Sequence, residues 1–223
     1  MAPLGHEVAT HDAIPLPESP MGLLRKVFGP SKQEIWQQLS REVGGRYVNG
    51  GFWKGDKVQA AHGEWTITLD TYTVSTGKSS CTYTRMRAPY LNKDSFRFTI
   101  HRRGFFSDLG KWLGMQDVEV GHAQFDRDFV IQGNNERKLK ELFANPRIRE
   151  LISAQPAIHL SVKDDEGWFG AKFPKGVDEL HFVVGGVIKD VERLKSLYDL
   201  FAETLEHLCD IGSAYEKSPG LEL

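Results

Sequence analysis

Two spacings of apolar residues divide the chain. Between 46 and 103 apolar and polar positions alternate: Trp65, Ile67 and Leu69 with Thr66, Thr68 and Asp70, then Phe96, Phe98 and Ile100 with Arg97, Thr99 and His101. A period of two predicts half-buried antiparallel strands joined as a meander. Thr82–Arg87 reads as a further strand that ends before Pro89, which cannot donate to a ladder, and 75–79 as the tight connection leading into it. Elsewhere the period is that of a helix. Ser31 and Glu34 form a capping-box pattern ahead of the stripe Ile35, Trp36, Leu39 and Val43, and Gly44-Gly45 closes it.

The second half mixes both periods. Phe125–Ile131 reads as a strand, Leu139, Leu142 and Phe143 as a helical stripe ending near Asn145, and Pro146 as the first turn of a new helix capped by Asn145. Two more strands are expected at Ile158–Val162 and Leu180–Val184, and a short helical piece at Phe105–Leu113. The last helix carries Val187, Val191, Leu194, Tyr198, Phe201, Leu205 and Leu208 on a seven-residue repeat. Leu197, Leu200 and Ile211 widen that seam, which suits burial against the protein's own sheet better than a two-chain zipper, so the chain is expected as a monomer or a homodimer. The predicted class is α+β: a twisted, mostly antiparallel sheet of about six to eight strands, covered by helices near 31–43, 136–154 and 189–210.

At 223 residues one globular unit is expected over 21–223, with two pseudo-halves meeting near 116 as the alternative. Five of the ten prolines fall within residues 1–30, and 1–20 are expected to be a loosely packed or disordered extension. Cys81 and Cys209 make no disulfide framework and no metal-ligand spacing. Neither an export signal nor an 18-residue apolar run is present, so a cytoplasmic location without a transmembrane segment is expected.

The net charge of −2 hides an asymmetry. Seven basic and two acidic residues give 81–115 a charge of +5, whereas 116–223 carries −7. Period-two geometry sets Arg85 and Arg87 on one side of their strand and Arg97 and His101 on the non-core side of theirs, with Arg103 beyond. If those strands are neighbours, Arg85, Arg87, Arg97, His101 and Arg103 form one anion-binding candidate surface for nucleic acid or an anionic lipid. The alternative, favoured by the opposite charges of the two halves, is a face whose arginines pair with Asp70, Glu64 or the acidic second half. His159 and His181 are weak candidates for a metal pair lacking a third ligand. Gly77-Lys78-Ser79 lacks the earlier glycine of a phosphate loop and joins two strands, so it reads as a hairpin turn. No nucleophile elbow or other catalytic signature is present, no cofactor is implied, and whether the chain is an enzyme stays open.

Several stretches carry a likeness: Gly29-Pro30-Ser31-Lys32, Gly51-Phe52-Trp53-Lys54-Gly55, Tyr72–Ser79, Thr82–Pro89, and Phe125–Ile131 followed by a Leu-rich helix. In these the chain resembles, from about Met21 to Leu208, a group of uncharacterised bacterial proteins classed only as a domain of unknown function. The resemblance implies a soluble bacterial protein that starts near Met21, and it brings no catalytic residues. The function expected is therefore a non-enzymatic binding or adaptor protein with an unknown protein partner. The alternatives are an anion-binding protein using the arginine-bearing face and an enzyme with an unassigned cleft.

Overall fold

The computed structural model of the chain describes residues 29–51, 55–75, 77–104, 117–164, 173–221 and 223. The helix expected at Phe105–Leu113 lies outside them. The chain divides into two compact units, Met1–Ser31 and Lys32–Leu223, and every helix and strand among the described residues belongs to the second.

The first element of that unit is α1 (Lys32–Glu42), starting directly after Ser31 with Glu34 in its first turn. Ile35, Trp36 and Leu39 are buried from one stripe, as the spacing predicts. Gly44 takes a φ of +64° as the helix ends, and Gly45 follows where a Cβ would stand 2.7 Å from the carbonyl of Gln59, closer than any side chain tolerates. The chain then forms β1 (Arg46–Val48), β2 (Lys57–His62), β3 (Trp65–Ser75) and β4 (Ser80–Leu91), an antiparallel meander.

Two local expectations are corrected by the structure. Strand β4 does not stop before Pro89 but runs through it, with Pro89 opposite Glu179. The last β3 partner of β4 is Thr68, opposite Arg87, so Pro89 lies where the β3 side of the strand has no ladder to lose. After β5 (Phe98–Arg102), the stretch expected as a strand over Phe125–Ile131 is first a helix, α2 (Ala123–Asp128), and only then a strand, β6 (Phe129–Gly133). The Asp126 carboxylate accepts the backbone N–H groups of Val120, Gly121 and His122 at 2.9, 3.1 and 2.9 Å, which curls the chain into a turn. Phe125 and Phe129 then pack across the junction with ring centroids 4.8 Å apart and planes tilted by 40°.

The expected break near 145 is present. Helix α3 (Glu136–Ala144) ends and α4 (Pro146–Ser153) begins with Pro146 in its first turn, and Asn145 Oδ1 accepts the N–H groups of Arg147 and Ile148 at 2.8 and 3.3 Å. Strands β7 (His159–Lys163) and β8 (Val177–Gly185) follow, then α5 (Val191–Asp210), where Asp190 caps the N–H of Arg193 at 3.1 Å.

All eight strands join one sheet in the order β1-β2-β3-β4-β8-β7-β5-β6, every ladder antiparallel. With the five helices among the described residues, this is the α+β class that the two periods predict. One sheet face packs on the helices: Ile67, Leu69, Met86, Ala88, Tyr90, Leu160, Val162, Leu180 and Phe182 join Trp36, Leu142, Phe143, Leu197, Phe201 and Leu205 in a single core. The seam of α5 is spent inward, with Leu194, Leu197, Leu200, Phe201, Leu205 and Leu208 fully buried, while Val187, expected to open the repeat, lies before the helix and is exposed.

Candidate functional site

The opposite face of the sheet is polar, and it carries the arginines of β4 and the histidines that the sequence marks as candidates. Antiparallel partners share a face, so the registers can be read across the sheet as rows. One row runs through all eight strands: Arg46, Gln59, Thr68, Arg87, His181, Ser161, Thr99 and Gln132. Gln59, Thr68, Arg87, His181, Ser161 and Thr99 are all buried.

Strands β4 and β5 are not neighbours. Strands β8 and β7 lie between them, so Arg85 and Arg87 stand three strand spacings, about 14 Å, from Thr99 and His101. The condition for a single arginine patch is thus unmet. What fills the gap is His181, Ser161 and His159.

Each arginine of the set has partners. Arg85 grips Asp70 with Nε and a terminal nitrogen at 2.8 and 3.0 Å, and Arg87 reaches the same carboxylate at 2.5 Å. Arg87 also stands 4.0 Å from the fully buried Glu179. Arg97 pairs with Asp164 at 2.8 Å and with Asp178 at 3.3 Å; burial opposes its charge, but the two carboxylates outweigh that and raise its pKa. Arg103 donates to the carbonyls of Asp126 and Phe129.

The histidines occupy the middle of the face. His101 and His159 face each other in register with rings stacked at 6.2 Å, and His159 Nε2 lies 3.4 Å from the Thr99 hydroxyl. Burial, then the charge of Lys163, pushes His159 down to about 4; burial, then Lys163 and Arg85, holds His181 well below the ordinary imidazole range. His101 is lowered as well, chiefly by burial. At neutral pH all three rings are uncharged. His159 and His181 sit on adjacent strands but on diagonal positions, since Ser161, not His159, is opposite His181. Among the described residues no three His, Cys, Asp or Glu side chains converge on a metal position. The Ser161 hydroxyl and His181 Nδ1 have no hydrogen-bond partner among the described residues.

Toward one end the polar face continues onto a feature that local sequence patterns did not single out. Strand β2 stops pairing with β3 at Asp70, and β8 stops pairing with β4 at Thr84. Beyond these points Tyr72–Ser75 and Ser80–Tyr83 pair with each other as a two-stranded ribbon, bordered on its β4 side by Gly186, which bridges to Tyr83 and donates to the Thr82 carbonyl at 2.7 Å. Its face continues that of the arginines: Tyr72 opposite Tyr83, stacked at 5.2 Å, then Val74 opposite Cys81. The Arg85 guanidinium stands 5.1 Å over the Tyr72 ring and ties the ribbon to its base. Val74 is 44% exposed, one of three large apolar side chains so exposed among the described residues, and Cys81 is exposed beside it. The other ribbon face is hydroxylic, with Thr73 and Thr82 at 2.9 Å. The signal in the sequence is a change of phase: apolar residues sit at odd positions at Ile67 and Leu69 and at even positions at Tyr72 and Val74, on the opposite face of the strand.

The hollow between α4 and α5 is lined by Arg147, Glu150, Glu192, Lys195 and Asp199, which pair among themselves. No helix among the described residues is long and apolar enough to cross a membrane.

Comparison with known protein families and with curated proteins returns no match. Among solved structures, the crystal structure of the mycobacterial trehalose monomycolate transport factor A, TtfA, aligns with a TM-score of 0.47 at 7% identity, over 86% of this chain and 98% of that one. A likeness at that level carries no argument about what this chain does.

Proposed function

We propose that the chain is a non-enzymatic binding protein, an adaptor that engages a protein partner through the face of the β3–β4 ribbon. The observation that carries this reading is the ribbon itself: an aromatic pair and an exposed valine on a face without charged side chains, braced at its root by the Arg85–Asp70 pair. An exposed valine beside two half-buried tyrosines offers apolar and aromatic contact area of the kind found in protein interfaces.

The polar sheet face supports the same reading by its charge balance. Arg85, Arg87 and Arg97 are each met by a carboxylate, so an incoming polyanion would first have to displace Asp70, Asp164 or Asp178. We take the face as the stiff base that carries the ribbon. A cytoplasmic setting belongs to the proposal and is supported by the two free cysteines.

The test compares proteins retained from a lysate by wild type, by Tyr72→Ser with Val74→Lys, and by Arg97→Ala with Arg103→Ala, at matched thermal stability and with nuclease present. Loss confined to the ribbon variant is expected. Retention by the ribbon variant and loss in the arginine variant would move the contact to the polar face.

A further inference from the structure

Past α5 the chain returns to the polar sheet face as a strap tied at two points. At the first, Ala214 bridges to Asn92 and Tyr215 donates its N–H to the Leu91 carbonyl at 3.1 Å, while the Lys93 ammonium stands 5.5 Å over the Tyr215 ring. At the second, the main-chain oxygen of Leu223 accepts from the Lys57 ammonium at 2.5 Å and from the Gln59 amide at 3.2 Å. Between these ties, no hydrogen bond joins 216–221 to the sheet or to a helix among the described residues. Gln59 is level with Arg87, four residues from Leu91 along β4 and two strands across, so the ties stand roughly 16 Å apart, whereas the chain from Tyr215 to Leu223 reaches about 27 Å when extended. The strap is slack, and its far end can leave without disturbing the fold.

The receiving site is built by the sheet. Lys57 is half-buried, and among the described residues the Leu223 oxygen is its hydrogen-bond partner. Gln59 is 6% exposed; Arg46 donates to its Oε1 at 3.2 Å, which leaves the amide nitrogen to donate to that same oxygen. Two converging donors, one of them charged, call for an acceptor oxygen. The strap shows what accompanies that oxygen: Leu221 and Leu223 are half-buried, whereas residues 215–218 and 220 are exposed. We propose that Lys57 and Gln59 form a docking subsite for an extended, leucine-bearing peptide, filled in cis by the strap and open in trans to a peptide of the same kind from another protein. A tethered copy acts at an effective concentration in the millimolar range, so it masks the subsite until a tighter peptide displaces it. The subsite is separate from the ribbon face, and the inference goes beyond the reading of that face.

A fluorescent peptide with the sequence of residues 214–223, made with a free and with an amidated end, is titrated by anisotropy against three full-length chains. These are wild type, Leu221→Ser with Leu223→Ser, which frees the strap and leaves the subsite, and the same pair with Lys57→Met added. The freed chain is expected to bind the peptide, in one form or both, at least about tenfold more tightly than wild type, where the tethered copy competes. Adding Lys57→Met is expected to abolish most of that gain. Trypsin gives the reading in cis: cleavage after Lys217 is expected to be faster in the freed chain and in Lys57→Met alone than in wild type, all held well below their melting temperatures. A peptide that no chain binds, that wild type and the freed chain bind alike, or that binds regardless of Lys57→Met overturns the subsite, as does a cleavage rate that neither variant changes. No lysate enters this assay, so its failure leaves the ribbon reading standing, and a ribbon variant that retains every protein leaves the subsite standing.

Discussion

Asp70 accepts hydrogen bonds from Arg85 and Arg87 at once, its two oxygens taking three guanidinium nitrogens at 2.8, 3.0 and 2.5 Å where the sheet gives way to the ribbon. The Asp70 residue is 9% exposed and the Arg87 residue 6%. Replacing Asp70 by Asn keeps the shape and leaves two cations without their shared counter-charge. The expected cost is about 3 kcal/mol in urea unfolding. Arg87→Met with Asp70→Asn should couple by more than about 1 kcal/mol in a double-mutant cycle. Additive effects would show that the three groups are not one unit.

Histidine burial makes the fold acid-sensitive in a defined window. In the unfolded chain the imidazoles titrate near about 6.5, whereas burial, then Lys163, holds His159 down to about 4 and His181 well below the ordinary range. Between those values the unfolded chain binds protons that the folded chain refuses, so stability is unaffected above about pH 6.5 and falls as the pH drops toward 4. For His159 alone the loss approaches roughly 3 kcal/mol. Urea midpoints at pH 7.5 and 5 should differ, and His159→Gln should narrow the difference. Equal midpoints would contradict the burial of neutral rings.

Lys138 ties the end of α5 to the strand-side loops. Its ammonium donates to the Ser213 hydroxyl at 2.7 Å and the Ile211 carbonyl at 3.2 Å and pairs with Asp94, while the residue is 7% exposed. Asp94 is partly exposed and recovers water when the lysine is lost, so Lys138→Met is expected to cost about 2 kcal/mol, less than for a fully buried pair. Thermal unfolding checks it, and an unchanged melting temperature would count the contact as idle.

Asn145 serves both sides of the α3–α4 junction, capping α4 with its oxygen and donating from its amide nitrogen to Glu203 on α5 at 2.7 Å. Asn145→Ala should cost about 1 to 2 kcal/mol, and Asn145→Ser, which keeps a capping oxygen without the amide donor, visibly less. Equal losses would place the effect in the Glu203 contact.

What local chemistry decides was legible in the sequence. The Asn145-Pro146 junction, the stripe of α1, most of the seam of α5 and the strands at Trp65–Leu69 and Thr82–Arg87 follow from caps and periods within a few residues, whereas the meander expected over 46–103 ends at β4 and β5 leaves it. What depends on distant pairing was not. The order β4-β8-β7-β5 places β8 and β7 between the arginine strands, and only that order assembles the row from Arg87 through His181 and Ser161 to Thr99. Helix α2 replaces the start of an expected strand because Asp126 gathers three N–H groups, a contact that no alternation of apolar residues signals. The ribbon escaped for the same reason. Its residues read as an ordinary hairpin, and they stand as a two-stranded ribbon only where β2 and β8 stop.

The most direct test of the central claim is photocrosslinking in cells, with a photoreactive phenylalanine analogue in place of Val74 on the ribbon or in place of Lys140 on the exposed surface of α3. The account expects a discrete adduct to another protein from position 74 and none from position 140. Adducts from position 140 alone, or from both positions alike, would contradict the assignment of the ribbon as the docking element.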